Sequence, residues 1–351
     1  GLSKSERPAV ANLLQSGIDQ TARRIASTDP EAIFTPDRAG QAALDRAHLK
    51  RDVVRGWWHR NDMPKKRGRR ARHLIAYATT PVTIVPDHDA QPLWLLRDPL
   101  NTWPAPCPDP DDIVPPDVVC SYKRTAKWLA RCWPEQYARL SKREASQAFL
   151  CLEYLDAYER VLIVCGDATN DYEAPMGTPY EELVRTENRT GAPLTVCPQR
   201  PTLDRPIGQF DGAVGLYQMQ AQLMALYILA IQRGTFGETW VYSEDPNRPP
   251  TIINNADARN GVIGRVRGGR MVNFQPSVGA LTPQAINQLE ASERMDAAIP
   301  AEFGGFSPSN VRTGSRGAQV MGNTIDFVVQ EAQLVLAESL QAEDLIAFAV
   351  A

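Results

Sequence analysis

The spacing of hydrophobic residues predicts helices near the start of the chain. Apolar residues recur every three or four positions over residues 8–26, which predicts a helix with Ser5 as its N-cap. A second helix is predicted from Thr35, with Pro36 in its first turn, to Trp58. Its packed face is predicted to comprise Leu44, Ala47, Val54, Trp57 and Trp58.

From residue 74 to residue 201 the pattern changes to short runs rich in β-branched residues, separated by proline and aspartate. Strands are predicted at residues 82–85, 93–96 and 118–122. The polarity of residues 142–158 is also compatible with a helix. We favour a hairpin that turns near Asp156, because residues 161–164 are typical of a strand and need a partner.

The last third of the chain alternates helices with a small β-rich segment. A helix over residues 211–232 is followed by a strand at 239–242. A hairpin is predicted between residues 262–266 and 271–274, with Gly268 and Gly269 in its turn.

Two further helices enclose a polar segment near the end. Thr282 and Pro283 are predicted to cap a helix that runs to residue 299, and residues 318–351 form another, with any break near Gln341. Residues 300–317 contain two prolines and four glycines, and their only charges after Phe303 are Arg312 and Arg316. This composition predicts a loop with two spaced cations.

The distribution of charge is uneven, although the formal net charge is only −3. Residues 1–77 carry sixteen Lys or Arg and eight Asp or Glu, whereas five acids and no Lys or Arg follow Arg316. The basic run at residues 65–72 is predicted to be a loop. It either binds nucleic acid or an acidic protein surface, or is neutralised by an acidic face of the same chain.

Cysteine spacing and hydropathy argue against a zinc site and against a membrane-spanning helix. The six cysteines include no C-x-x-C pair, which favours reduced, buried structural thiols and predicts no zinc site. Residues 212–232 lack any charge, but Gln218, Gln220 and Gln222 interrupt the apolar run. A helix buried against protein is therefore predicted rather than a membrane span.

No catalytic motif is apparent, and the sequence predicts a protein that is not an enzyme and that needs no cofactor or metal. It contains no P-loop, no G-x-S-x-G and no H-E-x-x-H. Residues 87–89, Asp-His-Asp, are compatible with a metal ligand set, but a polar turn is favoured. Asp109, Asp111 and Asp112 are interpreted as turn residues because the glycine and distal glutamate of a calcium loop are missing.

Three segments resemble those of tailed-bacteriophage portal proteins, which form the head-to-tail connector of the capsid. Residues 188–198 (NRTGAPLTVCP) are similar to the portal segment before the first stem helix. Residues 298–305 (AIPAEFGG) resemble the end of the second stem helix, and residues 313–320 (TGSRGAQV) resemble the tunnel loop and the start of the next helix. The resemblance is specific over about residues 180–340.

The resemblance implies an α+β fold, as an elongated ring subunit with a mixed α/β wing, a two-helix stem, a small β-rich clip and a long C-terminal helix. The implied regions are a wing at 1–206, a first stem helix at 207–234, a clip at 235–281, a second stem helix at 282–303, a tunnel loop at 304–317 and a long wing helix at 318–351. Portal proteins usually continue into a C-terminal crown, which is expected to be absent or truncated here.

The resemblance also implies site residues. The DNA-facing tunnel loop would present Ser307, Ser309, Asn310, Arg312, Thr313, Ser315 and Arg316. The subunit interface would contain Leu223, Leu226, Tyr227 and Ala230. The clip would dock its partner through Trp240, Tyr242, Arg265, Arg267 and Arg270.

The implied function is a conduit for double-stranded DNA during packaging and ejection. The implied partners are further copies of the chain in a ring of about twelve subunits, double-stranded DNA, the major capsid protein, a head-completion or adaptor protein and the terminase motor, with no membrane. The expected location is the portal vertex of the virion, after assembly in the host cytoplasm. Two alternatives stay open: another virion or scaffold protein that binds nucleic acid through residues 65–72, and a carboxylate-dependent hydrolase using Asp111 or Asp167.

Overall fold

The protein is described by a computed structural model as a mixed α+β chain with several antiparallel sheets. The described residues are 13–87, 89–109, 111–137, 148–167, 180–200, 207–236, 238–243, 245, 247–248, 251–254, 265–274, 281–296 and 314–351.

The chain divides into two compact units. The larger unit contains Gln15–Gln209 and Ala318–Ala351, and the smaller unit contains Gly1–Leu14 and Phe210–Gly317.

The larger unit begins with three helices. They are α1 (Leu13–Ala26), α2 (Gln41–Arg60) and α3 (Met63–Tyr77). The predicted Ser5 cap of the first helix lies outside the described residues. The start predicted for the second helix is wrong, since residues 35–40 are not helical and the chain enters α2 through Gly40. The φ of Gly40 is +139°, which side chains rarely tolerate, and its carbonyl accepts bonds from the amides of Ala43 and Leu44 at 3.2 Å.

Burial along α2 is confined to part of the predicted face. Val54 and Trp57 are buried as predicted, whereas Leu44 is 42% exposed, contrary to prediction. In the first half of the helix, Ala43 is the buried residue, so packing against the core begins only in the second half.

The basic run at residues 65–72 is part of α3, and its prediction as a loop is wrong. Lys, Arg, Ala and Leu are all good helix formers, and they offset the cost of Gly68, which is about 1 kcal/mol. Pro64 occupies the first turn, where its missing N–H costs nothing.

The strands of the larger unit form two antiparallel sheets. They are β1 (Val82–Pro86), β2 (Pro92–Leu96), β3 (Thr102–Pro104), β4 (Asp117–Thr125), β5 (Ala148–Asp156), β6 (Glu159–Asp167), β7 (Tyr180–Glu187) and β8 (Thr195–Val196). One sheet has the order β2-β1-β8, and the other is the meander β3-β4-β5-β6-β7. Between β4 and β5 lie two short helices, α4 (Ala126–Cys132) and α5 (Pro134–Tyr137).

The strand predictions for this unit are confirmed, including the hairpin at Asp156. One carboxylate oxygen of Asp156 accepts bonds from the amides of Tyr158 (2.7 Å) and Glu159 (2.6 Å), which fixes the turn between β5 and β6. The helix considered for residues 142–158 is thereby excluded over the described residues 148–158.

The last long helix, α8 (Gly314–Val350), runs without a break at Gln341. Its final turns join the main core of the larger unit, where Ile346 and Ala347 pack with Trp57, Trp94 and Val196. A second core cluster lies at one end of the five-stranded sheet and contains Ala126, Leu129, Phe149, Cys151, Leu162, Val164 and Leu183.

The described residues of the smaller unit form two helices and four short strands. They are α6 (Asp211–Phe236), β9 (Glu238–Ser243), β10 (Thr251–Asn254), β11 (Arg265–Arg267), β12 (Gly269–Phe274) and α7 (Leu281–Asp296). Helix α6 extends beyond the predicted end at residue 232, and Thr282 lies inside α7 rather than capping it. Residues 297–299, the predicted end of that helix, lie outside the described residues.

The hairpin predicted around Gly268 and Gly269 is wrong. Strand β11 pairs with β10, and β12 pairs with β9, so the two strands that flank Gly268 belong to different two-stranded sheets. Gly268 has φ of +76° and turns the chain between these pairings.

Candidate subunit interface and charged surfaces

Helix α6 carries apolar side chains on its outward face. Leu226 is 62% exposed and Met219 is 52% exposed, and the i,i+7 spacing of these residues places them on the same side of the helix. Ala213 and Gln220 are buried, about 100° to 120° around the helix axis from Met219. Val214, Ile228 and Ile231 are also exposed, but they do not share the side of Met219 and Leu226.

The predicted interface residues lie on or beside this face. Leu226 points outward, and Leu223 and Tyr227 are half-buried. The side chain of Ala230 lies outside the described residues. Helix α6 packs against α7, where Ile286 is buried, so the exposed residues of α6 are left over after that contact. Leu226 is exposed in the single chain, so its burial against a neighbouring subunit stays a prediction.

No helix within the described residues combines the length and the apolar character that crossing a bilayer requires.

The residues predicted to dock a clip partner fall on two different strand pairs. Tyr242 on β9 lies directly opposite Arg270 on β12, and both are exposed. Arg267 on β11 is also exposed but pairs with Thr251 on β10. Trp240 and Arg265 are placed on β9 and β11, and their side chains lie outside the described residues. The structure thus brings Tyr242 and Arg270 together, as a cross-strand pair.

The predicted tunnel loop is only partly described. Ser307, Ser309, Asn310, Arg312 and Thr313 lie outside the described residues. Ser315 and Arg316 belong to the first turn of α8, so their prediction as loop residues is wrong. Gly314 and Gly317 did not prevent helix formation, because each costs only about 1 kcal/mol within a long helix.

The acids that follow Arg316 are used within the larger unit. Glu331 accepts from Arg200 at 2.9 Å, Glu343 binds Arg70, and Asp344 accepts a 3.0 Å bond from the indole N–H of Trp58. These three of the five acids that follow Arg316 are therefore bonded within the larger unit.

The centre of the larger unit is a buried ion network that links α3 to α8. Both guanidinium Nη atoms of Arg70 contact the carboxylate of Glu343, at 2.6 and 3.1 Å. Ser339 lies 2.8 Å from Arg70 and 2.5 Å from Glu343, and the indole N–H of Trp94 donates to Glu343 at 3.0 Å. Glu343 and Ser339 are fully buried. The charges of Glu343 and Arg70 therefore depend on each other for stabilisation.

Two neighbours of this network have shifted pKa values. Burial raises the pKa of Asp344 to about 7, and the bond from Trp58 only partly opposes this effect. Burial also lowers the pKa of Lys66, whose ammonium donates to the carbonyl of Trp94 at 2.7 Å.

A second buried carboxylate, Glu153, lies in the five-stranded sheet. Its oxygens are 2.9 Å from Arg97 and 2.7 Å from Arg160. Burial opposes the ionisation of Glu153, but the two arginines outweigh it and the pKa of this carboxyl is lowered. The pair with Arg97 links the two sheets of this unit, since Arg97 follows β2 of the three-stranded sheet, whereas Arg160 lies on β6 beside Glu153 on β5.

Four of the six cations of the basic run are bound to the protein. Besides Lys66 and Arg70, Arg67 pairs with Asp29 at 2.7 Å and Arg72 pairs with Asp19 at 3.0 Å. Lys65 and Arg69 are exposed. The interpretation that acidic groups of the same chain neutralise this run is thus correct for Arg67, Arg70 and Arg72.

An apolar cavity of about 710 Å³ lies beside the ion network, between α2, α3 and α8. Trp58, Met63, Leu336 and Leu340 contribute to its wall, and the buried Arg70 also reaches it. Its cations are already paired, because Arg55 binds Glu31 and Arg67 binds Asp29.

Of the Asp-rich segments considered for a hydrolase, Asp87, Asp109 and Asp112 act as turn residues, whereas Asp167 is the last residue of β6. Asp87 accepts bonds from the amides of residues 89 and 91 and pairs with Arg60 at 2.7 Å, which agrees with a polar turn. Asp109 and Asp112 accept amide bonds from the residues two positions later. Among the described residues, no group of three His, Cys, Asp or Glu side chains is arranged to hold a metal ion.

The cysteines are free thiols, and four are buried: Cys120, Cys151, Cys165 and Cys197. Burial raises the pKa of Cys151 to about 12, which keeps this thiol protonated and unreactive. Cys132 is exposed, so the prediction of uniformly buried cysteines is wrong at this position.

The comparisons with known proteins give no family. No protein-family model matches the sequence, and no curated protein is significantly similar to it. Support for a function therefore comes from the surfaces described above.

Proposed function

We propose that this chain is a portal subunit, which assembles with copies of itself into a closed ring of about twelve subunits. The ring conducts double-stranded DNA through the capsid vertex during packaging and ejection, and has no catalysis of its own. Its proposed partners are the major capsid protein, a head-completion or adaptor protein at the clip and a separate terminase motor. The ring assembles in the host cytoplasm and is part of the virion.

The observation that carries the proposal is the outward apolar face of α6. This helix has no charged residue from position 212 to position 232, and it exposes Met219 and Leu226 after packing against α7. Exposed Gln222 lies between these two residues on the same side of α6, so this surface is uncharged and mixes apolar with amide side chains, as protein interfaces do. A subunit of a closed ring has two such surfaces to bury, one against each neighbour.

The order of elements in the smaller unit gives further support. Two helices, α6 and α7, enclose the four short strands β9 to β12, which is the stem and clip order implied by the resemblance. Exposed Tyr242, Arg267 and Arg270 would give the clip an aromatic and cationic surface for its partner.

The decisive experiment is a measurement of oligomeric state by native mass spectrometry and negative-stain electron microscopy. We expect closed rings of about a dozen chains. A chain that stays monomeric over the accessible range of concentration and salt would rule out the proposal.

The interface is tested by Leu226→Asp, with Leu334→Asp on α8 as the matched control. Leu334 is 71% exposed and lies in the larger unit. Burying an unpaired carboxylate at a subunit contact costs several kcal/mol, so we expect Leu226→Asp to abolish rings and Leu334→Asp to retain them. Normal rings from Leu226→Asp would show that this face of α6 is not an interface.

The DNA path is tested by reversing Arg312 and Arg316 together to Glu. We expect intact rings but impaired DNA packaging or retention, because phosphate contacts become repulsive. The control is Arg38→Glu with Arg46→Glu, two exposed cations of the larger unit. Unchanged packaging in the Arg312 and Arg316 variant would reject a DNA contact at these residues.

A further inference from the structure

A small cavity of about 380 Å³ lies between α1 and α3 in the larger unit, and its wall is strongly cationic. Four of its lining residues are Arg23 from α1 and Lys65, Arg69 and Arg72 from α3. The others are small residues, including Ser27 and Gly68. We call this site the cation cleft.

Three of these four cations have no partner within the described part of the chain. Arg72 pairs with Asp19 at 3.0 Å, whereas the side chains of Arg23, Lys65 and Arg69 make no ion pair or hydrogen bond with a described residue. All three are exposed. The cleft therefore has a local excess of positive charge that the protein itself does not neutralise.

This excess opposes folding of the helix that carries it. Lys65 and Arg69 are spaced i,i+4 on α3, where like charges destabilise a helix by a few tenths of a kcal/mol. The neighbouring cations on the inward side of α3 are bonded, as Lys66, Arg67 and Arg70 illustrate. The same helix thus has one face of bonded cations and one face on which Arg72 is paired while Lys65 and Arg69 stay open, and two open cations on one face favour binding of an anion.

The lining of the cleft points to phosphate rather than to an acidic protein segment. Guanidinium groups bind phosphate oxygens through paired N–H donors, and the small side chain positions, such as Gly68, allow close approach. The lining contains neither an aromatic residue that could stack on a base nor a large apolar residue that could anchor a protein side chain.

The spacing of the cations fits a nucleic-acid strand. From Lys65 to Arg69, the two open cations of α3, the helix rises about 6 Å, which corresponds to about two phosphates of one strand of a duplex. We propose that the cation cleft binds the phosphate backbone of double-stranded nucleic acid without reading its sequence. This contact lies in the larger unit, is separate from the proposed tunnel loop and does not depend on ring assembly.

The test uses the full chain and a fluorescein-labelled DNA duplex of about 20 base pairs, with binding followed by anisotropy over a range of salt concentrations. The variant combines Arg23→Gln, Lys65→Gln and Arg69→Gln. The matched control combines Arg38→Gln, Arg46→Gln and Lys50→Gln, which removes the same charge from exposed positions outside the cleft. Two duplexes of unrelated sequence are compared.

We expect the parent and the control to bind both duplexes equally. In the cleft variant, affinity at low salt should fall about tenfold or more, and the slope of log K against log salt should decrease by about 2 to 3, because each phosphate contact contributes about 0.9. Arg23→Lys with Arg69→Lys should retain binding, which shows that charge is the cause. Circular dichroism should show unchanged melting for all variants, since the replaced side chains are exposed and unpaired.

Three results would overturn the inference: a parent chain that does not bind duplex, a control that loses as much affinity as the cleft variant, or a parent that binds poly-glutamate in preference to DNA. The last result would indicate an acidic protein partner. Native mass spectrometry of the same samples separates this inference from the proposed function. Rings that do not bind duplex would refute DNA binding by the cation cleft alone. Duplex binding by a permanent monomer would refute ring assembly alone.

Discussion

Helices α6 and α8 are both long and each exposes a leucine, but they differ in the side chains that they bury. Helix α8 buries Ser339 and Glu343 completely and exposes Leu334. Helix α6 buries Ala213 and exposes Leu226. In α8, the buried charge of Glu343 is stabilised by Arg70 of the same unit. In α6, the apolar side chain of Leu226 is left exposed by its own unit. Glu343 is thus buried because a partner is available, although most buried residues of the described chain are hydrophobic.

The strongest test of this comparison removes Arg70, the cation that stabilises the buried carboxylate of Glu343 on α8. We expect Arg70→Ala to lower the free energy of unfolding by about 3 to 5 kcal/mol, because Glu343 is then an uncompensated buried charge. Urea denaturation followed by circular dichroism measures the effect.

The control is Arg72→Ala on the same helix. Its pair with Asp19 is largely exposed, so we expect a loss of at most about 1 kcal/mol. The double variant Arg70→Met with Glu343→Leu should recover much of the lost stability, since it removes both charges. Equal effects of Arg70→Ala and Arg72→Ala would show that the buried network does not determine stability.

The second test concerns Asp344, the other carboxylate that α8 buries. Its pKa rises from an ordinary 3.8 to about 7 on folding, so the folded chain holds a proton that the unfolded chain releases. The free energy of unfolding should therefore fall as pH rises from about 4 to 7 and level off above 7. The full shift corresponds to about 4 kcal/mol.

Asp344→Asn removes this titration but keeps an oxygen that can accept the bond from Trp58. We expect the variant to be more stable than the parent at pH 8, by up to about 4 kcal/mol, with a flatter profile between pH 4 and 7. Unfolding measured at five or six pH values gives both quantities. An unchanged slope in the variant would contradict a raised pKa at Asp344.

The smallest expected effects on stability concern two buried polar side chains, Ser339 on α8 and Gln220 on α6. Ser339 on α8 bridges Arg70 and Glu343, so we expect Ser339→Ala to cost about 1 to 2 kcal/mol. Gln220 on α6 is 7% exposed, and its side chain has no hydrogen bond with the described residues. Gln220→Leu should therefore be neutral or slightly stabilising. Differential scanning calorimetry resolves both effects, and a clear loss from Gln220→Leu would mean that α6 uses this amide.

Local patterns were enough to predict much of the fold. The alternation of β-branched residues located β1, β2 and β4, and the strand-like run at residues 161–164 correctly required a hairpin at Asp156. The same local rules failed at Gly268, since the choice of strand partner there depends on residues that are distant along the chain.

Long-range pairing explains what sequence reasoning missed at the charged surfaces. The run at residues 65–72 was recognised as cationic. However, Arg70 binds Glu343, which lies 273 residues further along the chain, and no local sequence pattern predicts that bond. For Lys65 and Arg69, the i,i+4 spacing would have indicated one shared face, had the run been predicted as a helix. The outward face of α6 could be predicted only as an uncharged helix, because periodicity does not tell which of its apolar residues a neighbour covers.

The distance along the chain between Arg70 and Glu343 has a consequence for biosynthesis. At about 5 to 20 residues per second, a ribosome needs roughly 14 to 55 seconds to make the chain between them, and the smaller unit emerges during that interval. Until α8 arrives, Arg70 has no counterion and the larger unit is incomplete. Nascent chains of this protein should therefore depend on chaperones, and premature release before α8 should yield a product that proteases remove.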